Sequence, residues 1–174
     1  MASVLVTDEQ DRRPVDTQRW VSLAGSVLDA EGVGDGGELS MAFVDEATMA
    51  DLNRRFAGEE GPTDVLAFPM DDRDPGSGMP AMLGDVVICP TVAARAVADR
   101  TDAPGWDDAD ELALLVVHGT LHVLGHDHAG AADEATMRAR ERDLLARFHR
   151  PVEVPHHRVT AEPTAGEPGS GVAP

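Results

Sequence analysis

Hydrophobic positions along the chain alternate between strand-like and helix-like spacing. Val4-Leu5-Val6 reads as a short first strand. Trp20, Leu23, Ala24, Val27 and Leu28 then recur every three to four residues, the pattern of one buried helix face. Asp16 is placed to cap that helix, predicted from Thr17 to about Glu31, and the glycine-rich stretch Gly32 to Gly37 ends it. Leu39 to Val44 alternates as a second strand, and Asp45 caps a helix through Met49, Leu52 and Phe56. Val65 to Phe68 and Val86 to Cys89 are predicted as the third and fourth strands. Between them, Asp71 to Pro80 is rich in Asp, Gly and Pro and is expected to form a mobile loop. Pro90 opens a further helix at the first helical position, where its missing N–H costs nothing. A last helix is expected from about Ala131 to Phe148, with Met137, Leu144 and Leu145 inward. Four short strands among helices predict an α+β domain, a small mixed sheet with helices on both faces.

One helix stands apart. Asp107, Asp108, Asp110 and Glu111 load its first turn with negative charge, which the helix dipole favours. Leu112, Leu115, Val116 and the unbroken run Leu114 to Val117 make it apolar on most sides, so it should lie at the centre of the fold. It ends in His118-Gly-Thr-Leu-His122-Val-Leu-Gly-His126-Asp-His128, which holds four of the chain's seven histidines. His118 and His122 are one helical turn apart, with Cβ atoms about 5–6 Å from each other. Gly125 permits a sharp turn that can bring a third imidazole back over the pair. Three neutral nitrogens with an open fourth position describe a catalytic zinc site rather than a closed structural one.

Spacing alone leaves His126 and His128 both open as the third ligand. Asp127 between them is a candidate acceptor for an imidazole N–H, or equally a turn residue bonding its own backbone. Asp85, after Gly84, either orients a ligand or belongs to a turn leading into a strand. The pattern H-x-x-x-H-x-x-G-x-x-H overlaps the metzincin protease signature, which selects His128. Those proteases carry a glutamate directly after the first histidine as general base, and this chain has Gly119.

The histidine block resembles the signature of the bacterial YbeY family of zinc-dependent endoribonucleases and rRNA maturation factors. A second set of segments follows the family order: Leu52-Asn53 with Phe56, then Pro62-Thr63-Asp64-Val65-Leu66-Ala67-Phe68-Pro69, then Leu83-Gly84-Asp85-Val86-Val87. The resemblance spans about residues 1–150. It implies one Zn2+ per chain on His118, His122 and His128, and position 126 without a metal role. It further implies cleavage of single-stranded RNA in rRNA processing, including 16S rRNA 3′-end maturation and ribosome quality control. The partners it implies are rRNA precursor, the ribosomal small subunit and assembly proteins, with no DNA. Two positions depart from the pattern. The arginine that many members carry after the aromatic is Ala57, and the serine of V-L-S-F-P is Ala67. Arg54 and Arg55 are nearby candidates for RNA contact, or simply solvated residues of an amphipathic helix.

Composition qualifies this picture. The 174 residues suit one domain, and the net charge of −18 opposes non-specific binding to phosphates. A narrow local contact, or recruitment by a partner already holding the RNA, fits such a charge better. The endoribonuclease is the favoured reading; the charge and Ala57 support an alternative, a ribosome-assembly factor in which zinc is largely structural and cleavage weak. A zinc peptidase is a third reading, opposed by Gly119. Cys89 is the only cysteine, which fits a reducing compartment. The N-terminus lacks a signal-peptide pattern and no apolar stretch reaches membrane-span length, so a cytoplasmic protein without membrane contact is expected. Residues 151–174, with His156-His157 and then Pro, Gly and small residues without periodicity, are expected to be a disordered tail.

Overall fold

Four strands form one mixed sheet in the order β1-β2-β4-β3, seen in a computed structural model that describes residues 2–72, 79–126 and 130–155. Strands β1 (Ser3–Asp8), β2 (Gly37–Phe43) and β4 (Ala81–Ile88) run parallel. Strand β3 (Val65–Asp72) lies antiparallel to β4 at the sheet edge. The helices are α1 (Thr17–Ala30), α2 (Glu46–Leu52), α3 (Pro90–Asp99), α4 (Asp108–Val123) and α5 (Ala131–Phe148). The α+β class, the mixed four-stranded sheet and the central position of the histidine helix match the sequence expectation. The stretch 151–155 belongs to the described residues, whereas the rest of the expected tail, with His156 and His157, lies outside them.

Three helix starts are fixed by the local chemistry their sequences carry. Asp16 accepts from the Arg19 N–H and Asp45 from the Thr48 N–H. Asp107 and Asp110 close a reciprocal capping box at the head of α4. Helix α4 is then buried along nearly its whole length, packed against α1, α3, α5, β3 and β4. The main core joins its Ala113, Leu114, Val117 and Leu121 to Leu28, Leu39, Met41 and Ile88. A smaller cluster on the opposite sheet face gathers Val44, Met49, Leu66, Val87 and Cys89.

Three details differ from the sequence expectation. The helix carrying Arg54 and Arg55 does not stay α-helical: Asn53–Ala57 widens into a π-helical turn that ends at Gly58, with φ 69°. There the Asn53 side chain donates to the Gly61 carbonyl at 2.8 Å, tying the following loop back. Strand β3 runs on to Asp72 and β4 begins at Ala81, so the hairpin is longer than its apolar residues alone suggest. Backbone pairing extends it past the apolar run, and the central part of the expected loop, residues 73–78, lies outside the described residues. Finally, Gly84-Asp85 is not a turn leading into a strand. It sits inside β4, where Leu83 is an extra residue opposite Glu38 and Leu39 of β2. Gly84 takes φ 151° there, and a Cβ would fall 2.4 Å from the Phe68 carbonyl oxygen.

Candidate metal centre

His118 and His122 project from the last two turns of α4, each 8 % exposed. Their ring centroids are 4.5 Å apart with the planes inclined at 62°. The helix ends one residue later, at Val123, and Gly125 then adopts φ 96°. The Gly125 N–H then donates to the His122 carbonyl at 2.9 Å and the His126 N–H to the Leu121 carbonyl at 3.0 Å, the paired bonds of a Schellman ending. The chain therefore reverses immediately beyond the pair.

Gly119, between the two histidines, has a packing reason to be glycine. A Cβ at this position would lie 2.6 Å from Val86 Cγ1 and 3.5 Å from Val65 Cγ2, so α4 rests directly on β3 and β4. A glutamate has no room there without moving the helix off the sheet. The same close approach presses the histidine turn against the strands.

His118 has a partner that the sequence reading missed. Its Nδ1 lies 2.6 Å from Oε1 of Glu141, a carboxylate on α5 whose side chain is 3 % exposed. A signal for it did exist. Met137, Glu141, Leu144 and Leu145 fall at i, i+4, i+7 and i+8, so an acid occupies an apolar stripe, and a buried charge is costly unless paired.

Of the two candidates for third ligand, His126 is turned to another task. Its Nε2 lies 3.1 Å from Oε2 of Glu31, the residue that caps the C-terminus of α1. Arg140 of α5 donates to the other oxygen of the same carboxylate. Burial alone would raise the Glu31 pKa, but hydrogen bonds from Arg140 and His126 outweigh it and hold it below the usual range. These three residues join α1, the turn and α5, beside a groove of about 530 Å³ bordered by Gly32 to Gly37, Leu83 and Leu124. His128 and Asp127 lie outside the described residues. Among the described residues, His, Cys, Asp and Glu form no group of three placed to hold an ion.

The remaining candidates lie elsewhere. Val86 points at Gly119, so its neighbour Asp85 projects from the opposite face of β4, away from the histidines. Arg54 and Arg55 are exposed, and both pair with Asp51, at 2.7 and 3.4 Å. Their π-turn is held down by Phe56, which meets Phe68 of β3 edge-on with ring centroids 5.3 Å apart. Phe68 and Ala57 pack with the smaller cluster, so this turn covers the sheet face opposite α4. Thr63 and Asp64 are buried at the start of β3, with the Thr63 hydroxyl 3.4 Å from Asp64 Oδ1 and the Asp64 carbonyl accepting from the Cys89 N–H. Cys89 itself is fully buried, and burial pushes its thiol pKa up, the opposite of an activated nucleophile.

The model of the family described as endoribonuclease YbeY matches residues 5–149. The chain belongs to the YbeY family. Among its relatives, endoribonuclease YbeY of Thermobifida fusca is 46 % identical over 144 residues, covering 80 % of this chain and 90 % of the relative. Endoribonuclease YbeY of Salinispora tropica is 48 % identical over 141 residues, covering 76 % and 87 %. The solution structure of TM1509 from Thermotoga maritima shares the fold, with a TM-score of 0.50 and 20 % identity over 89 % of this chain and 99 % of that one. As in the sequence reading, this YbeY chain has Ala57 and Ala67 at the two departing positions, and both are partly buried side chains packed into the two cores. Among the described residues, no helix of this YbeY member is long and apolar enough to cross a membrane.

Proposed function

We propose that this chain is a zinc-dependent endoribonuclease that cleaves single-stranded RNA. One observation carries the reading: two buried imidazoles, one turn apart at the end of the central helix, with ring centroids 4.5 Å apart and the chain reversing directly after them. Family membership adds the reaction class, because the relatives are named endoribonucleases. The donor set suits zinc, which accepts imidazole nitrogen and in catalytic sites takes three protein ligands. His118 and His122 would hold one ion together with His128, the third ligand that the family resemblance implies. His126 has a separate engagement with Glu31, which favours His128 for that role. When bound, zinc supplies Lewis acidity at the phosphodiester. The protein's own part is to seat the ion at the edge of a dry core and to keep both imidazoles in register on a helix fixed to the sheet at Gly119.

The substrate in this reading is a single-stranded segment of rRNA precursor in the cytoplasm. Its setting is rRNA processing, 16S rRNA 3′-end maturation and ribosome quality control. A net charge of −18 argues that the ribosomal small subunit and assembly proteins deliver the RNA, since phosphate attraction is weak. The decisive experiment compares wild type and His122→Ala on a single-stranded precursor RNA, with and without a zinc chelator. Loss of cleavage in both the variant and the chelated protein supports the reading. Cleavage that survives in both removes it.

Specific observations bear on two other readings. Ala57 in place of the family arginine, with Arg54 and Arg55 already paired to Asp51, favours an assembly factor whose zinc is largely structural. In that case zinc removal unfolds the protein while the wild type cleaves RNA only weakly. A zinc peptidase has no general base after His118, because the position belongs to the helix–sheet contact.

A further inference from the structure

Glu141 is a buried acid in the middle of an apolar helix face, and the zinc reading leaves it without a role. Three features separate it from an ordinary interhelical tie. First, α4 and α5 already have two kinds of glue: Met137, Leu144 and Leu145 in the main core, and a distant lock at the other end of α4. In that lock Asp110 accepts from His149 at 2.7 Å and from Arg150. Second, Oε1 of Glu141 lies 2.6 Å from Nδ1 of His118, within the range of a short, charge-assisted hydrogen bond. Third, both side chains are withdrawn from water, His118 at 10 % and Glu141 at 3 % exposure, so solvent competes little for the pair.

An imidazole that donates through Nδ1 carries its lone pair on Nε2, the opposite edge of the ring. We propose that Glu141 is the positioning residue of the metal centre: it accepts the Nδ1–H of His118, fixing the tautomer and ring rotation that offer Nε2 to the ion. A carboxylate in this place also makes the ring a stronger donor, as histidine ligands generally require. Glu141 touches neither the ion nor the RNA. This inference rests on the reading of His118 and His122 as metal ligands.

The experiment measures Zn2+ affinity of the full chain by competition with a chromophoric chelator, alongside the thermal midpoint of the metal-free protein. The variants are Glu141→Leu, which keeps the apolar stripe filled, Glu141→Gln, which keeps an accepting oxygen without the charge, and His122→Ala. Glu141→Leu is expected to weaken zinc binding about 10–100-fold, with Glu141→Gln between it and wild type. The metal-free midpoint should change little. In the metal-free wild type, long-range 1H–15N spectra of the rings should show His118 protonated at Nδ1, with that preference eroded in Glu141→Leu, which has no acceptor. Retention of wild-type affinity within about threefold in a folded Glu141→Leu, or an unchanged His118 tautomer in that variant, overturns the proposal. Should Glu141→Leu fail to fold, Glu141→Ala takes its place with the same two readouts. Failure of the underlying reading looks different: wild type then binds no stoichiometric Zn2+, or His122→Ala binds it as tightly.

Discussion

The two ends of α4 both bury ionisable side chains, yet they are built on opposite plans. At the N-terminal end, Asp110 and Glu111 are fully buried, and each meets several donors. Asp110 accepts from His149, Arg150 and the Asp107 N–H. Glu111 accepts from Arg100 at 3.2 Å and from the Trp106 indole at 2.6 Å. Burial would raise the Asp110 pKa, but the hydrogen bonds from Arg150 and His149 hold it down to about 2. That end is a lock, made of unlike partners whose charges cancel. At the C-terminal end two like groups, the imidazoles of His118 and His122, face each other, and the Glu141 carboxylate reaches His118. In the proposed reading, these two rings of one kind side by side form a pair for a cation. Buried polarity alone therefore does not mark a functional site; the combination of partners does.

Four substitutions or conditions test this contrast. The largest effect is expected from His122→Ala, which should lower RNA cleavage at least about 1000-fold, given the several kcal/mol that a Lewis acid contributes. Its unfolding free energy, measured without metal, should stay close to wild type. At the other end, Asp110→Ala should do the reverse. Removing the shared acceptor should destabilise the fold by about 2–3 kcal/mol, less than for a pair wholly out of water because Arg150 remains half in solvent. Denaturant titration checks this, and kcat on RNA should be unchanged while the variant is folded. A large activity loss in folded Asp110→Ala would erase the distinction between the two ends.

Gly119→Ala ranks next. Val86 is β-branched and seated in a strand, so it has little freedom to give way to a Cβ at 2.6 Å. The expected cost is about 1–3 kcal/mol. Because the contact lies between the two histidines, zinc affinity should fall as well, and Val86→Ala in the same chain should restore part of both. The smallest effect is a pH dependence. The folded pKa of Asp110, about 2, lies below its ordinary value of 3.8, so the unfolded chain binds the proton more readily. The stabilisation is present in full above about pH 4 and is lost as pH falls through about 2. The stability gap between wild type and Asp110→Asn should narrow over that window. A gap that stays constant from pH 5 to about 2 would show that the lock does not depend on charge.

Much of this molecule is legible residue by residue because its cues are local. The caps at Asp16 and Asp45 act within three residues of themselves, whereas Asp107, expected in the first turn of α4, is its N-cap. The i, i+4 spacing of His118 and His122 and the glycine turn after them mark the candidate ligand pair with no knowledge of the rest of the fold. The ends of β3 and β4 were less legible, because backbone pairing extends strands past their apolar residues. The π-helical turn at Asn53–Ala57 also escaped, since its side-chain anchor runs to the carbonyl of Gly61 outside the helix.

What the chain specifies on its own is therefore the set of elements, the apolar helix at their centre and the candidate ligand pair at its end. Packing decided the rest. Glu141 reaches His118 across 23 positions of sequence, and Glu31 reaches His126 across 95, distances that no helical or strand period spans. Gly119 has its meaning only where α4 meets Val86. Short-range spacing is set by the geometry of one element, whereas these contacts exist only once separate elements have been brought together by the burial of a common core.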